Sequence, residues 1–214
     1  MIKRLNHTVE GRILYFGILL AAILLAVIGY YAVTDFHTAK VLVLALIAHT
    51  FGGRAAGIGL CILNGYGAGM TIVYNFYLEV LIVCFTYAAF VLSTTQYLDF
   101  PWLNRIMDRI AVKAEEQKDK VEAYGWLGIF LFVMAPLPVT GPVVGSIIGY
   151  MIRMRLAKNL AATLLGTLTA IIVWFYAFDY LEERFQMIQY IFVGIVLLVL
   201  IPYAKKIKDF FAEK

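Results

Sequence analysis

One arginine stands where the chain around it is almost wholly apolar. His49-Thr50-Phe51-Gly52-Gly53-Arg54-Ala55-Ala56-Gly57 occupies the middle of a run covering residues 41–70. A guanidinium is always charged, and at mid-bilayer depth it costs at least ~2.5–3.5 kcal/mol. It therefore needs an anion, backbone carbonyls or a water-filled cavity beside it. Its planar fork suits a phosphate or carboxylate held by two bonds; the plainer reading is that Arg54 snorkels or caps helix carbonyls. Glu79 is the main carboxylate inside an apolar run. Such a group can carry a proton, pair with Arg54 or reach an interface. His49 can titrate beside Arg54 or serve as hydrogen-bonded packing. A second constellation is Pro136-Leu137-Pro138-Val139-Thr140-Gly141-Pro142. Its three prolines cannot lie inside one straight helix, so the segment either only turns the chain or opens a new helix at Thr140 and Gly141. A helix start of that kind, with proline in its first turn, attracts anions.

The flanks of both constellations show what must position them. About ten apolar residues from Trp126 lead into the prolines, and a second apolar arm leads out to Tyr150. Ten residues reach roughly 15 Å, about half of a ~30 Å hydrocarbon core. Two half-helices meeting at mid-membrane, a re-entrant hairpin, are the expectation. The 41–70 run is too long for one span and too short for two, and Gly52-Gly53 is where its helix would break. Small residues recur every four positions at Gly53, Gly57, Cys61, Gly65 and Gly69, and again at Gly141, Gly145 and Gly149. Such rows let helices approach closely, and Gly57, Gly65, Gly145 and Gly149 are the expected packing positions. Asn64 and Asn75 are expected to bond between helices.

Composition bounds the rest. Of 214 residues 63% are hydrophobic and 15% charged, against about 25% charged in soluble domains. Long continuous runs without dyad alternation give an all-α polytopic membrane protein and argue against a barrel. The net charge of +4 reflects Lys and Arg beside spans, as cytoplasmic retention requires, rather than a nucleic-acid surface. Cys61 and Cys84 fall in apolar segments without paired spacing, so neither a disulfide nor a metal site is expected, and no cofactor. Residues 13–33 follow a basic start and outrun a signal-peptide core, so they read as an uncleaved span.

Full spans are expected at 13–33, 72–94, 160–178 and 187–201. Residues 99–124 place Leu103, Ile106, Met107, Ile110 and Ala114 on one face, an amphipathic helix for the membrane surface. One transmembrane domain over 1–214 results: a hairpin-plus-span unit at 41–95, the linker, and a second unit at 126–178. Basic residues put both termini, the linker and the 151–158 turn in the cytoplasm. The hairpins would then dip in from opposite faces as an inverted repeat. Six full spans, with the linker outside, are the rival.

The residues around Arg54 and the run Phe132-Val133-Met134-Ala135-Pro136-Leu137-Pro138-Val139-Thr140-Gly141 resemble the two motifs of the small multidrug-export protein family of prokaryotic membranes, over roughly residues 41–178. That family pairs an E-x-R-G-A-I-P-like segment with a later P-L-P-G-T-G-like one. Here Gly52 stands where the resemblance expects glutamate, Ile58 where it expects proline and Val139 where it expects glycine. Proton coupling would then fall to Glu79 or His49. The paired-hairpin plan is also similar to the DedA and vacuole-membrane-type lipid transporters.

These readings lead to a transporter or flippase of the cytoplasmic membrane. Its midplane site would use Arg54, His49, Gly53, Pro136, Pro138, Thr140 and Gly141 to hold an anionic or amphipathic substrate such as a lipid phosphate, with Glu79 as the candidate for proton coupling. Ion-coupled drug export is the first alternative, and a non-transporting scaffold acting through Ile106 and Ile110 is another. No nucleophile–base motif, zinc motif or nucleotide-binding motif is present, so an enzyme is not expected. The expected partners are a membrane lipid or an amphipathic small molecule, with self-association left open.

Overall fold

The computed structural model describes residues 8–95, 97, 100–135 and 141–182. Among them are seven helices and no strand: α1 (Val9–Thr34), α2 (Phe36–Leu63), α3 (Ala68–Thr94), α4 (Pro101–Glu122), α5 (Gly125–Met134), α6 (Gly141–Met151) and α7 (Leu156–Glu182). Four are long and apolar enough to cross a membrane: α1, α2, α3 and the Leu156–Phe178 part of α7. The expected span at 187–201 lies outside the described residues, as do Pro136, Pro138 and Thr140. The chain divides into two compact units, 1–175 and 176–214. The described part of the second is the end of α7.

Helix α1 begins where Thr8 accepts a bond from the Gly11 amide at 3.0 Å, with Glu10 in the first turn; both features favour a helix start. The helix is apolar on nearly every side and buries little, as suits a lipid-facing rod. It runs antiparallel to α3. Gly17 packs beside Cys84, the Tyr77 hydroxyl donates to the Leu20 carbonyl, and Leu24 joins a cluster with Tyr74 and Leu78. Asp35 ends α1 and caps α2, accepting from the Thr38 hydroxyl at 2.6 Å and from the amides of His37 and Thr38. These bonds, the Thr38 hydroxyl first, hold its carboxyl below the usual range.

Helix α2 folds back on itself. At Gly53 the backbone has φ 78° and ψ −179°, a region open essentially only to glycine. A Cβ on Gly57 would lie 2.9 Å from that of His49. Eight residues of straight helix would separate them by roughly 12 Å. The Tyr66 hydroxyl donates to Thr38 Oγ1 at 3.0 Å, so the end of α2 returns beside its own first turn. Helices α5 and α6 pair in the same way. A Cβ on Gly145 would collide with Val133 and sit 3.7 Å from Ile129, while one on Gly141 would sit 3.4 Å from the Val133 carbonyl.

The turns after α2 and α6 share one construction. Gly65 N–H bonds Ile62 and Tyr66 N–H bonds Cys61, at 2.8 and 3.1 Å; Arg153 N–H bonds Tyr150 and Met154 N–H bonds Gly149, both at 2.9 Å. The pivot is left-handed in each, φ 77° at Gly65 and 55° at Arg153. Pivots, helix ends (Leu63, Met151) and following helix starts (Ala68, Leu156) each lie 88 residues apart. The two turns sit at opposite ends of α1: Tyr66 meets Thr38 beyond its C-terminus, and Arg153 shares a cleft with Glu10 at its N-terminus.

Three sequence expectations change. Gly65 is not a packing position: nothing lies within 4 Å of where its Cβ would be, and its role is the left-handed pivot. On α4 the inward row is Leu103, Met107, Ile110, Ala114 and Val121, packed with Ile129, Val144 and Ile147 of the second hairpin, while Ile106 is 45% exposed. Ile106 lies roughly 100° round the helix from Met107, outside that seven-residue seam. Asn64 bonds the Leu60 carbonyl of its own helix rather than a neighbour.

Candidate functional site

The break at Gly53 makes Arg54 the first residue of the returning limb of α2, and there it is only 7% exposed. Its Nη1 donates to the Val133 carbonyl at 3.2 Å. Val133 belongs to the last turn of α5, where helix carbonyls lack partners and carry partial negative charge. The break in the first hairpin thus meets the second hairpin near its own break. Glycine at 141 leaves room for the guanidinium, since a Cβ there would lie 3.0 Å from Arg54 Nη2.

The counter-charge comes from α3. Glu79 Oε1 lies 3.5 Å from Arg54 Nε and 3.5 Å from His49 Nε2, with Glu79 and His49 both buried. On the far side of the imidazole, His49 Nδ1 lies 2.9 Å from Asn75 Oδ1. Asn75 Nδ2 is committed to the Thr71 carbonyl at 2.8 Å, so Oδ1 is the end that faces the histidine. That oxygen can only accept, which places a proton on Nδ1. The other ring nitrogen, Nε2, faces the Glu79 carboxylate at 3.5 Å, so Glu79 stands between a guanidinium and an imidazole. Gly57 makes the arrangement fit, since a Cβ there would come within 2.5 Å of Asn75 Oδ1 and 2.8 Å of His49 Nδ1.

These groups line one side of a cavity of about 530 Å³. Its other walls are apolar: Leu24 and Leu25 from α1, Leu46 from α2, Leu81, Ile82 and Phe85 from α3, and Val143 from α6. Leu25 and Thr50 are exposed, so the cavity opens to the outside of the bundle there. Among the described residues that line it, His49, Arg54 and Glu79 are the ionisable ones. The cavity can hold an apolar body with one polar end, and the polar end would meet the cluster of Arg54, Glu79 and His49.

The structure thus brings together His49, Gly53, Arg54, Glu79 and Gly141 from the sequence reading. Gly145 and Gly149 make close approaches to Val133 and Asn159 respectively. Two contributions were not foreseen. The Val133 carbonyl carries no side-chain signal. The second half has its own buried polar row, Asn159, Thr163 and Thr167, matching Thr71, Asn75 and Glu79 at four-residue spacing and 88 positions on. Asn159 donates to the Ser146 carbonyl at 2.7 Å, whereas the buried Thr167 hydroxyl has no hydrogen-bond partner among the described residues. The four-residue rows were visible in the sequence as a pattern, without their partners.

Residues 54–173 match the family model described as putative small multi-drug export protein, more than half of the chain, and the chain belongs to that family. No curated protein and no solved structure matches it. Family membership and the long apolar helices together indicate an integral membrane protein with a transport role.

Proposed function

We propose that this member of the small multi-drug export family is a proton-coupled exporter of amphipathic small molecules. They would pass through a mid-membrane cavity closed by two re-entrant hairpins of an inverted repeat. The observation that carries the reading is the carboxylate of Glu79, buried in a largely apolar cavity between Arg54 and His49. Arg54 is already engaged by Glu79 and Val133, so it is a counter-ion first and a ligand only after Glu79 is neutralised. A proton arriving at Glu79 frees the guanidinium, and its departure restores the pair. This exchange couples the occupant of the cavity to the proton gradient.

Support for the hairpins comes from length. Helices α5 and α6 have 10 and 11 residues, roughly 15 Å each, about half of a hydrocarbon core. Two such limbs do not make two crossings. The matched turns at opposite ends of α1 support the inverted relation, and a cleft shared by Glu10 and Arg153 supports one side for the N-terminus and the 151–158 turn. A cysteine replacing Glu116 should then label from the cytoplasmic side; labelling from outside would favour six spans.

Lipid-phosphate translocation is the second reading, favoured by Arg54 inside a cavity with an open apolar rim. Reconstituted vesicles separate the two. With an imposed proton gradient, the proton-coupled reading expects transport of the amphipathic anion 1-anilinonaphthalene-8-sulfonate that Glu79→Gln lowers at least tenfold and that a protonophore abolishes. Fluorescent phospholipid scrambling that persists without a gradient and falls in Arg54→Ala would instead favour lipid movement.

A further inference from the structure

A second cavity, of about 460 Å³, lies away from the Arg54 cluster, where the N-terminus of α1 meets the turn between α6 and α7. Glu10 and Arg153 both line it, yet neither takes part in any ion pair among the described residues. Tyr87 and Tyr150 form the aromatic wall, their rings edge to face at 6.3 Å. Arg153 is the informative residue. It occupies the left-handed pivot that the matching turn fills with Gly65, a conformation that disfavours any side chain. A side chain at such a position carries backbone strain that glycine would not.

A separate apolar groove of about 270 Å³ is lined by α1, α3 and α7, the helices that also contribute Glu10, Tyr87 and Leu156 to the cleft. Three helices step along it together. From Glu10 the lining passes to Ile13 and Phe16, from Tyr87 to Cys84 and Val80, and from Leu156 to Leu160 and Leu164. Each row advances three to four residues at a time, so the groove lies on the same helix faces as the cleft. Arg12 lines the groove as well.

We infer that the cleft and groove form a binding site for one phospholipid with a zwitterionic, ethanolamine-type headgroup. Arg153 and Arg12 take the phosphate. Glu10 and the tyrosine rings take the ammonium, helped by the negative C-terminal end of α6. The groove takes the start of an acyl chain. Opposite charges lining one cleft without pairing complement a headgroup that carries both. The site is separate from the Arg54 cavity and does not depend on the export reading.

Native mass spectrometry of the full chain in detergent tests this, with dioleoyl phosphatidylethanolamine, dioleoyl phosphatidylglycerol and free O-phosphoethanolamine as probes. The expected result is one retained phosphatidylethanolamine, favoured at least tenfold over the other two. Arg153→Gly suits the backbone better than the native residue, so it should fold with an equal or higher Tm while losing that retention at least tenfold. Glu10→Gln should erase the preference over phosphatidylglycerol. Equal retention of the two lipids by the unaltered chain, or undiminished retention in a folded Arg153→Gly, would overturn the site. Free O-phosphoethanolamine binding as well as the lipid would overturn the groove's part in it.

Discussion

The two hairpin halves are built to one register and charged differently. Each has two limbs, a left-handed pivot at the same place and a following helix with buried polar residues at matched positions. In the first half the row ends in Glu79, facing Arg54 and His49. In the second it ends in Thr167, and proline stands at the position equivalent to Arg54. The shared geometry supplies the close approach of the limbs. All the ionisable chemistry of the central cavity sits in one half, and the other half offers it a backbone carbonyl and room at a glycine. Two halves of one register can thus share a packing geometry while one of them carries the charge.

The largest effect should come from removing charge in the first half. Arg54→Ala strands a buried carboxylate, and breaking a buried pair costs about 3–5 kcal/mol. Removing both charges in Arg54→Met/Glu79→Leu should recover most of that stability and none of the transport. Denaturant melts in detergent of the two single variants and the double would measure the coupling. Additive losses would mean that the 3.5 Å approach carries no energy.

Next comes the break itself. Gly53→Ala places a Cβ in a backbone region that costs of order 1–3 kcal/mol for other residues. Gly69→Ala, with nothing within 4 Å, should change the melt by much less. Equal effects at the two positions would show that the hairpin does not depend on the glycine conformation at 53.

Thr167→Val sharpens the contrast between the rows. The hydroxyl is buried without a partner among the described residues, and such a group costs about 1–3 kcal/mol. The near-isosteric valine should therefore raise stability. Removing the matching group with Glu79→Leu should lower it, by leaving Arg54 unpaired. If Thr167→Val stabilises while transport slows, the second row contributes to the cycle as well as to the core.

How much of this the sequence disclosed follows from the kind of signal each part leaves. The helices, the fold-back at Gly53 and the glycine faces at 57, 145 and 149 were legible, because apolar run length and four-residue spacing encode them directly. The charged core was legible as candidates only. Arg54, His49 and Glu79 stood out for being ionisable in apolar runs, but their meeting depends on a separation of roughly 30 residues that the fold-back closes. The family resemblance expects a carboxylate at position 52. Here it is glycine, and the carboxylate comes from Glu79 on the next helix. The Val133 carbonyl left no trace, since any residue presents one. Gly65 was misplaced because the spacing of a packing row runs on into the turn. Ile106 was misplaced because a 3.6-residue face does not reveal which edge of it a neighbour covers.

The first turns of the two hairpins give the smallest and most local test. The first hairpin begins at Asp35, whose carboxylate accepts from the Thr38 hydroxyl and from two amides; the second begins at Tyr124 with no side-chain cap. Those bonds, led by the Thr38 hydroxyl, lower the carboxyl's pKa in the folded chain. A depressed folded value means that the stabilisation is complete above the unfolded carboxylate range and is lost as pH falls through the folded pKa. Hydrogen exchange at the His37 and Thr38 amides should therefore accelerate relative to intrinsic rates on acidification below that range, and the first turn of α5 should not respond. Asp35→Asn should flatten the pH dependence at His37 and Thr38, because an amide still accepts a bond but does not titrate. An acid response that persisted in Asp35→Asn would assign it to another carboxylate and remove the distinction between the capped start of α2 and the uncapped start of α5.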